Sequence, residues 1–269
     1  MKGISAGSRS DLARVTAHSR RFVTAGAAAD VLGLPRADAS QRLARWAAQG
    51  WLRRVRRGLY IPVPIDVIDP LRWNEDSLLI ADELWSPCLF TGWTAANHWG
   101  LTEQVFRTTV VKTSARVRPA DRSVAGHDYL LVHVPESELS WGVRTVWREE
   151  RRLRFAGPAR TVVDALDDPR LTGGIRFASE ILLAFLDDPG ESADTLVEHA
   201  DRTGNGSVFK RLGYLVETLR PDLVVLIAAC VERVPAGFTL LDPTAQRAGR
   251  RITRWGLVLN VVPPARDHA

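Results

Sequence analysis

At 269 residues and 45% hydrophobic content, the chain can bury ordinary globular cores, which excludes disorder, and about one domain per 100 to 200 residues makes two domains the expectation. The longest apolar stretch, Leu223 to Val231, is far short of the about 20 apolar residues that span a bilayer, and Met1 to Ser10 lacks an apolar signal core, so the expected compartment is the cytoplasm. The net charge of +5 is unevenly divided: residues 1 to 65 hold twelve basic and three acidic side chains, an excess of +9, which leaves −4 on the remainder. So compact an excess calls for a polyanion beside it. Cys88 and Cys230 stand alone, forming neither a disulfide framework nor a metal-binding pair.

In chain order, a helix is expected from Asp11 to about His18. Thr24 is placed to cap a second, Ala25 to Leu32, which Gly33 ends. After Leu34 and Pro35, a third helix runs from Arg36 to Gln49, where Ala39, Leu43, Trp46 and Ala47 make one buried stripe and Gly50 stops it. Two strands follow, Trp51 to Val55 and Leu59 to Val63, joined by Arg56-Arg57-Gly58. Three helices and a hairpin in this order predict a winged helix-turn-helix over residues 1–65.

The third helix turns Ala37, Asp38, Gln41, Ala44, Arg45 and Ala48 away from the stripe, with Arg42 at its flank. Small residues let a helix backbone approach base edges, and Gln and Arg are types that bond adenine and guanine in bidentate fashion. Gln41 and Arg45 are therefore expected to read bases, with Arg36 and Arg42 beside them. Arg53, Arg54, Arg56 and Arg57 are expected to hold the sugar-phosphate backbone or enter a minor groove. Trp46, Trp51 and Tyr60 are assigned to packing.

The second domain, residues 72–269, is expected to be a larger mixed α/β fold with a small, largely antiparallel sheet and several helices, which makes the whole chain α+β. A helix from Asn74 to Leu84 precedes an apolar run, Pro87 to Phe90, and a helix through Ala95 to Trp99. Strands are expected at Thr108–Thr113, Tyr129–Val134 and Val143–Trp147. Helices follow from Pro158 through Leu166, with Arg160 and Asp164 paired one turn apart, then Ile175–Leu186, Ala193–Ala200, Val208–Leu219 and one beginning at Pro221. Phe238–Leu241 and Thr253–Val261 read as strands.

Several strings occur together in order: Gly50-Trp51-Leu52 with Arg57-Gly58-Leu59-Tyr60, then Pro158-Ala159-Arg160-Thr161-Val162-Val163-Asp164, Lys210-Arg211-Leu212-Gly213-Tyr214-Leu215, Leu241-Asp242-Pro243, and Trp255-Gly256-Leu257-Val258-Leu259-Asn260. On these the chain resembles the AbiEi-type antitoxins of bacterial abortive-infection and toxin–antitoxin systems, which are usually encoded beside a nucleotidyltransferase toxin. The resemblance implies a bipartite antitoxin that binds inverted repeats of double-stranded DNA in its own promoter, often cooperatively, and so limits the toxin's production. It implies no cofactor and a toxin as functional partner, with direct contact varying among members. The protein is then a monomer or weak dimer in solution that cooperates on DNA. The strings of the second domain read as structural, Gly213 as a close-packing site.

Rival readings are a winged-helix nuclease of restriction type, a protein-interaction module, and a general regulator without a toxin. A nuclease needs a lysine near metal-binding carboxylates. Only Lys2, Lys112 and Lys210 exist, and Lys112, in Val110-Val111-Lys112-Thr113, lacks a carboxylate two residues earlier. Glu149-Glu150 are flanked by Arg148, Arg151 and Arg152 and read as surface pairs. His98, His127 and His133 show no triad or zinc spacing. The chain is accordingly read as non-enzymatic, with no catalytic, cofactor or metal residues. An interaction module leaves the N-terminal charge unexplained.

Overall fold

A computed structural model of the protein describes residues 3–19, 21–67, 69, 73–118 and 122–262; residue 72, the expected start of the second domain, lies outside them. The chain forms two compact units, Met1–Ile80 with Arg118–Asp128, and Ala81–Val117 with Tyr129–Ala269.

The first unit opens with α1 (Ala6–Ser19), β1 (Val23–Thr24), α2 (Ala25–Leu32) and α3 (Arg36–Ala48), followed by β2 (Leu52–Arg56) and β3 (Leu59–Pro62). This is a winged helix-turn-helix. The Thr24 hydroxyl accepts the Ala27 amide at 3.1 Å and starts α2, and the Leu34 amide reaches back to the Ala29 carbonyl at 3.1 Å to close it. Ala39, Leu43 and Trp46 of α3 are fully buried with Leu12 and Val15 of α1 and Ala28 of α2. Burying a side chain such as Leu43 contributes about 1.5–3 kcal/mol.

Two boundaries differ from expectation. Helix α1 begins a turn before Asp11, because the Ser5 hydroxyl accepts the Ser8 amide at 3.3 Å and Ser8 then meets the Trp46 indole N–H at 2.8 Å. Strand β1 was not expected: its two residues are extended because Val23 and Thr24 pair antiparallel with Tyr60 and Leu59. The sheet order is β1-β3-β2.

In the second unit, β4 (Cys88–Phe90), β5 (Thr108–Thr113), β7 (His127–His133, entering from the first unit), β8 (Val143–Arg148) and β9 (Arg151–Ala156) lie in the order β7-β5-β4-β9-β8. In the first unit, β6 (Ser123–Val124) pairs antiparallel with His127 and Asp128. Strand β4 is antiparallel to β5 but parallel to β9, and β8 is antiparallel to β9, so the sheet is largely antiparallel. The expected helix from Asn74 is α4 (Ser77–Trp85), and the one through Ala95 is α5 (Gly92–His98). Strand β9 was not anticipated, although Leu153 and Phe155 are buried in alternation with Arg152 and Arg154.

Helix α6 (Pro158–Asp167) is central: every residue from Pro158 to Leu166 is buried, and it packs against α5, α7 (Ile175–Asp187), α8 (Ala193–Thr203) and α9 (Ser207–Leu219). Polar groups in such a place need partners. Arg160 donates to the carbonyls of Glu138 at 2.8 Å and Trp141 at 2.5 Å, lies 3.5 Å over the Trp141 ring, and meets Asp164 at 3.5 Å, the pair expected from the sequence. Asp164 also accepts from Lys112 at 2.8 Å and from the Thr91 hydroxyl at 2.5 Å. Burial works against its charge, but Lys112 and Arg160 outweigh that and hold the carboxyl below the usual carboxylate range.

The chain closes with α10 (Val224–Val231), which starts later than Pro221, then β10 (Thr239–Leu240), β11 (Arg250–Ile252) and β12 (Leu257–Leu259). The single strand expected over Thr253–Val261 is instead one arm of a hairpin: a turn at Thr253–Gly256, in which the Gly256 amide bonds the Thr253 carbonyl at 3.1 Å, reverses the chain so that β11 pairs with β12. Trp255 in that turn is fully buried. A Cβ added to Gly213 of α9 would stand 2.0 Å from the Trp255 ring, so only glycine lets the indole seat there. Next to it, Arg211 is buried and donates to the carbonyls of Leu166, Leu240 and Leu241, clasping the end of α6 to β10.

Candidate nucleic-acid interface

The eight candidate residues lie on α3 and on the β2–β3 wing of the first unit. Ala37, Asp38, Gln41, Ala44, Arg45 and Ala48 are all exposed, on the side of α3 away from the buried Leu43 stripe, as their spacing predicts. Leu34, Asp38, Gln41, Arg42 and Arg45 line a shallow depression of about 240 Å³. Gln41, Arg42 and Arg45 are thereby brought together.

Helix α3 begins on Pro35, and no side chain caps its first amides. Arg36, the first helical residue, is exposed at that end. A helix N-terminus carries partial positive charge, so a guanidinium added there is favourable only with an anion nearby.

In the wing, β2 buries Leu52 and Val55 and exposes Arg54 and Arg56, a break in strict alternation. A register shift between Arg54 and Arg56 adds twist to the strand pair. The connection carries exposed Arg57 and then Gly58, whose φ of 78° belongs to the left-handed region. The Gly58 carbonyl accepts the Ala25 amide at 3.2 Å, tying the turn to the start of α2.

The guanidinium groups divide into two sets. Arg42 is half-buried and its guanidinium is held by the Asp11 carboxylate on α1. Arg53 is half-buried and donates to the Trp73 carbonyl. Arg14 and Arg21 are likewise engaged, Arg14 with the Val31 carbonyl at 2.6 Å and Arg21 with Glu75 at 2.7 Å. Among the described residues, by contrast, no hydrogen bond or ion pair engages the guanidinium groups of Arg36, Arg45, Arg54, Arg56 or Arg57. Sequence spacing missed this division, because Asp11 and Trp73 lie 31 and 20 residues from the arginines they hold. Trp46 and Tyr60 are buried and Trp51 is partly buried against the same core, consistent with packing.

The residues weighed for other chemistry sit elsewhere. Lys112 is buried, its ammonium paired to Asp164, and neither faces solvent. Glu149 and Glu150 form the exposed turn between β8 and β9, and Arg151 pairs with Asp82 at 2.8 Å and Glu83 at 2.7 Å. His98 packs on Phe155 and Trp99, and burial pushes its imidazole below the ordinary value. His127 bonds the Glu75 carbonyl at 2.7 Å and His133 the Ala115 carbonyl at 3.2 Å. Among the described residues no group of three or more His, Cys, Asp or Glu is placed to hold a metal, and no helix is long and apolar enough to cross a membrane.

Residues 10–63 match the family model described as "Transcriptional regulator, AbiEi antitoxin". The crystal structure of the Rv2827c protein from Mycobacterium tuberculosis is similar to this one with a TM-score of 0.64 and 17% sequence identity, over 96% of this chain and 92% of that chain. At that identity the likeness is one of fold. No curated protein matches the chain.

Proposed function

We propose that this protein, with its N-terminal residues of AbiEi-antitoxin regulator type, is a DNA-binding autorepressor and antitoxin. Helix α3 enters a major groove and the wing holds the adjacent backbone, each copy covering one arm of an inverted repeat in its own promoter. By that binding it limits production of a nucleotidyltransferase-type toxin encoded with it, whose action the second domain counters. The protein acts in the cytoplasm as a monomer or weak dimer that cooperates on DNA, and its function needs no cofactor and no catalysis.

The observation that carries this reading is the set of five exposed arginines, Arg36, Arg45, Arg54, Arg56 and Arg57, with no anion of their own chain, on the two elements that a winged helix-turn-helix presents to DNA. The uncapped start of α3 adds backbone amides to the same positive field. Arg45 and Gln41, both exposed on the small-residue face, are the base readers; Arg36 and the wing arginines are the phosphate contacts. Arg42 and Arg53 come to the interface with partners already in place and serve mainly to fix α3 on α1 and to hold β2.

A mobility shift on the protein's own upstream DNA, with and without Mg²⁺, tests the reading. Retardation without cleavage is the expected result. Cleavage, or no retardation at low salt, would overturn it.

A further inference from the structure

Helix α3 carries a single acid among its basic candidates. Asp38 is exposed on the side of α3 away from the Leu43 stripe and lines the same depression as Gln41 and Arg45. Asp38 and Arg45 are seven residues apart, hence on one line of the helix and about 10 Å from each other along its axis. The partner that an acid in this place ordinarily takes is the arginine four residues on, Arg42. That guanidinium has gone instead to Asp11 of α1, which Arg14 also approaches at 3.7 Å. Among the described residues, no hydrogen bond or ion pair engages the Asp38 carboxylate.

A lone carboxylate is costly on a surface that meets a polyanion. It repels phosphates and offsets part of the positive field at the uncapped first turn. Nor does it act as a cap, since no side chain bonds the first amides of α3. A carboxylate only accepts, so in a groove cleared of water it is satisfied by a donor alone. Phosphates offer none. On the base edges of the major groove the donors are the amino groups of cytosine and adenine, whereas guanine and thymine present acceptors. Adenine sets its N7 acceptor beside the amino group, which suits an amide such as that of Gln41 and opposes a carboxylate; cytosine shows the amino group by itself.

We infer that Asp38 is a third base reader and fixes the class of operator. It accepts a hydrogen bond from the N4 amino group of a cytosine beneath the start of α3, and it excludes guanine and thymine there by setting acceptor against acceptor. The inference rests on the DNA-binding reading above, with α3 in the major groove. The separation of Asp38 from Arg45 matches about three base steps of about 3.4 Å. Each arm of the repeat therefore holds a cytosine about three base pairs from the guanine that Arg45 contacts, with the adenine read by Gln41 between them. The same charge lowers affinity for every sequence that lacks the cytosine, so Asp38 adds selectivity both by what it bonds and by what it repels.

The test is selection of bound duplexes from the protein's own upstream DNA randomised over one arm, by the full chain as wild type, Asp38→Asn, Asp38→Ala and Arg45→Ala. Fluorescence anisotropy on the selected duplex and on random sequence, with the thermal midpoint of each protein, completes it. Wild type should select cytosine about three base pairs from the position that Arg45→Ala relaxes. Asp38→Asn should move that one position toward adenine, because an amide bonds N6 and N7 together. Asp38→Ala should lose the preference at that position alone and at least about fivefold in the ratio of selected to random binding, with random duplex bound as tightly as by wild type or more so. Unchanged base preference in both Asp38 variants, whether the midpoint falls as for a residue that only steadies the helix start or all duplexes are bound more tightly alike, would overturn the inference and leave the regulator reading standing. A wild type that binds no duplex at low salt would overturn both.

Discussion

The division of the arginines into engaged and free sets makes the salt response of DNA binding the sharpest test of the interface. Counting every basic candidate except Arg45 as a phosphate contact gives six phosphates and a log–log salt slope near −5.4. With Arg42 held by Asp11 and Arg53 by the Trp73 carbonyl, four remain, Arg36, Arg54, Arg56 and Arg57, and the slope on a single-arm duplex should be about −3.6. Between 50 and 200 mM salt that is a loss of about 150-fold in affinity. Arg56→Ala leaves three contacts, a slope of about −2.7 and a loss of about 40-fold over the same range; Arg42→Ala should leave the slope where it was. Arg45→Ala should cost about 1–3 kcal/mol on the specific duplex and relax preference at one base pair, with less effect on random sequence. Fluorescence anisotropy on a labelled duplex at four or five salt concentrations reads all of these. An Arg42→Ala variant whose slope flattens as much as that of Arg56→Ala would refute the assignment, and a flat wild-type response would refute the interface itself.

Two further predictions concern the second unit. Gly213→Ala places a methyl group 2.0 Å from the Trp255 ring and should destabilise the fold by about 1–3 kcal/mol in urea denaturation; a neutral result would mean that Trp255 does not pack against α9. Asp164→Asn should cost about 3–5 kcal/mol at pH 7 by leaving Lys112 and Arg160 without their buried carboxylate. Because the folded carboxyl titrates below its ordinary value, its contribution is present above the unfolded carboxylate value and is lost as pH falls through the lowered one. The gap between wild type and Asp164→Asn should accordingly narrow on acidification toward pH 3. A gap that stays constant would mean that Lys112 and Arg160 do not lower the titration of the folded carboxyl below that of the unfolded one.

Much of the first unit was legible because its boundaries are set by local chemistry: the Thr24 cap, the Gly33 stop and the stripe of Ala39, Leu43 and Trp46 each act within a turn or two of chain. Exposure of Gln41 and Arg45 follows from the same periodicity. Strand β1 was hidden because two residues carry no period, and only pairing with Tyr60 and Leu59 makes them extended. The engagement of Arg42 and Arg53 was hidden for the same reason, since their partners come from distant parts of the chain. Strand β9 is a different case: its alternation of Leu153 and Phe155 with arginines was present to be read, but arginines on its outer face masked the apolar period. In the hairpin of β11 and β12 the apolar residues Trp255 to Val261 favoured one long strand, although the turn that seats Trp255 occupies its first residues.

The seating of Trp255 against Gly213, together with the Arg211 clasp onto Leu240 and Leu241, also bears on how the protein is made. Helices α6 and α9 receive these last walls from a stretch that the ribosome releases only after residue 255 has cleared its exit tunnel. Until then the nascent chain has its first unit complete while the second stands open, so a message broken ahead of that codon yields a product with the first unit intact and the second exposed to proteases.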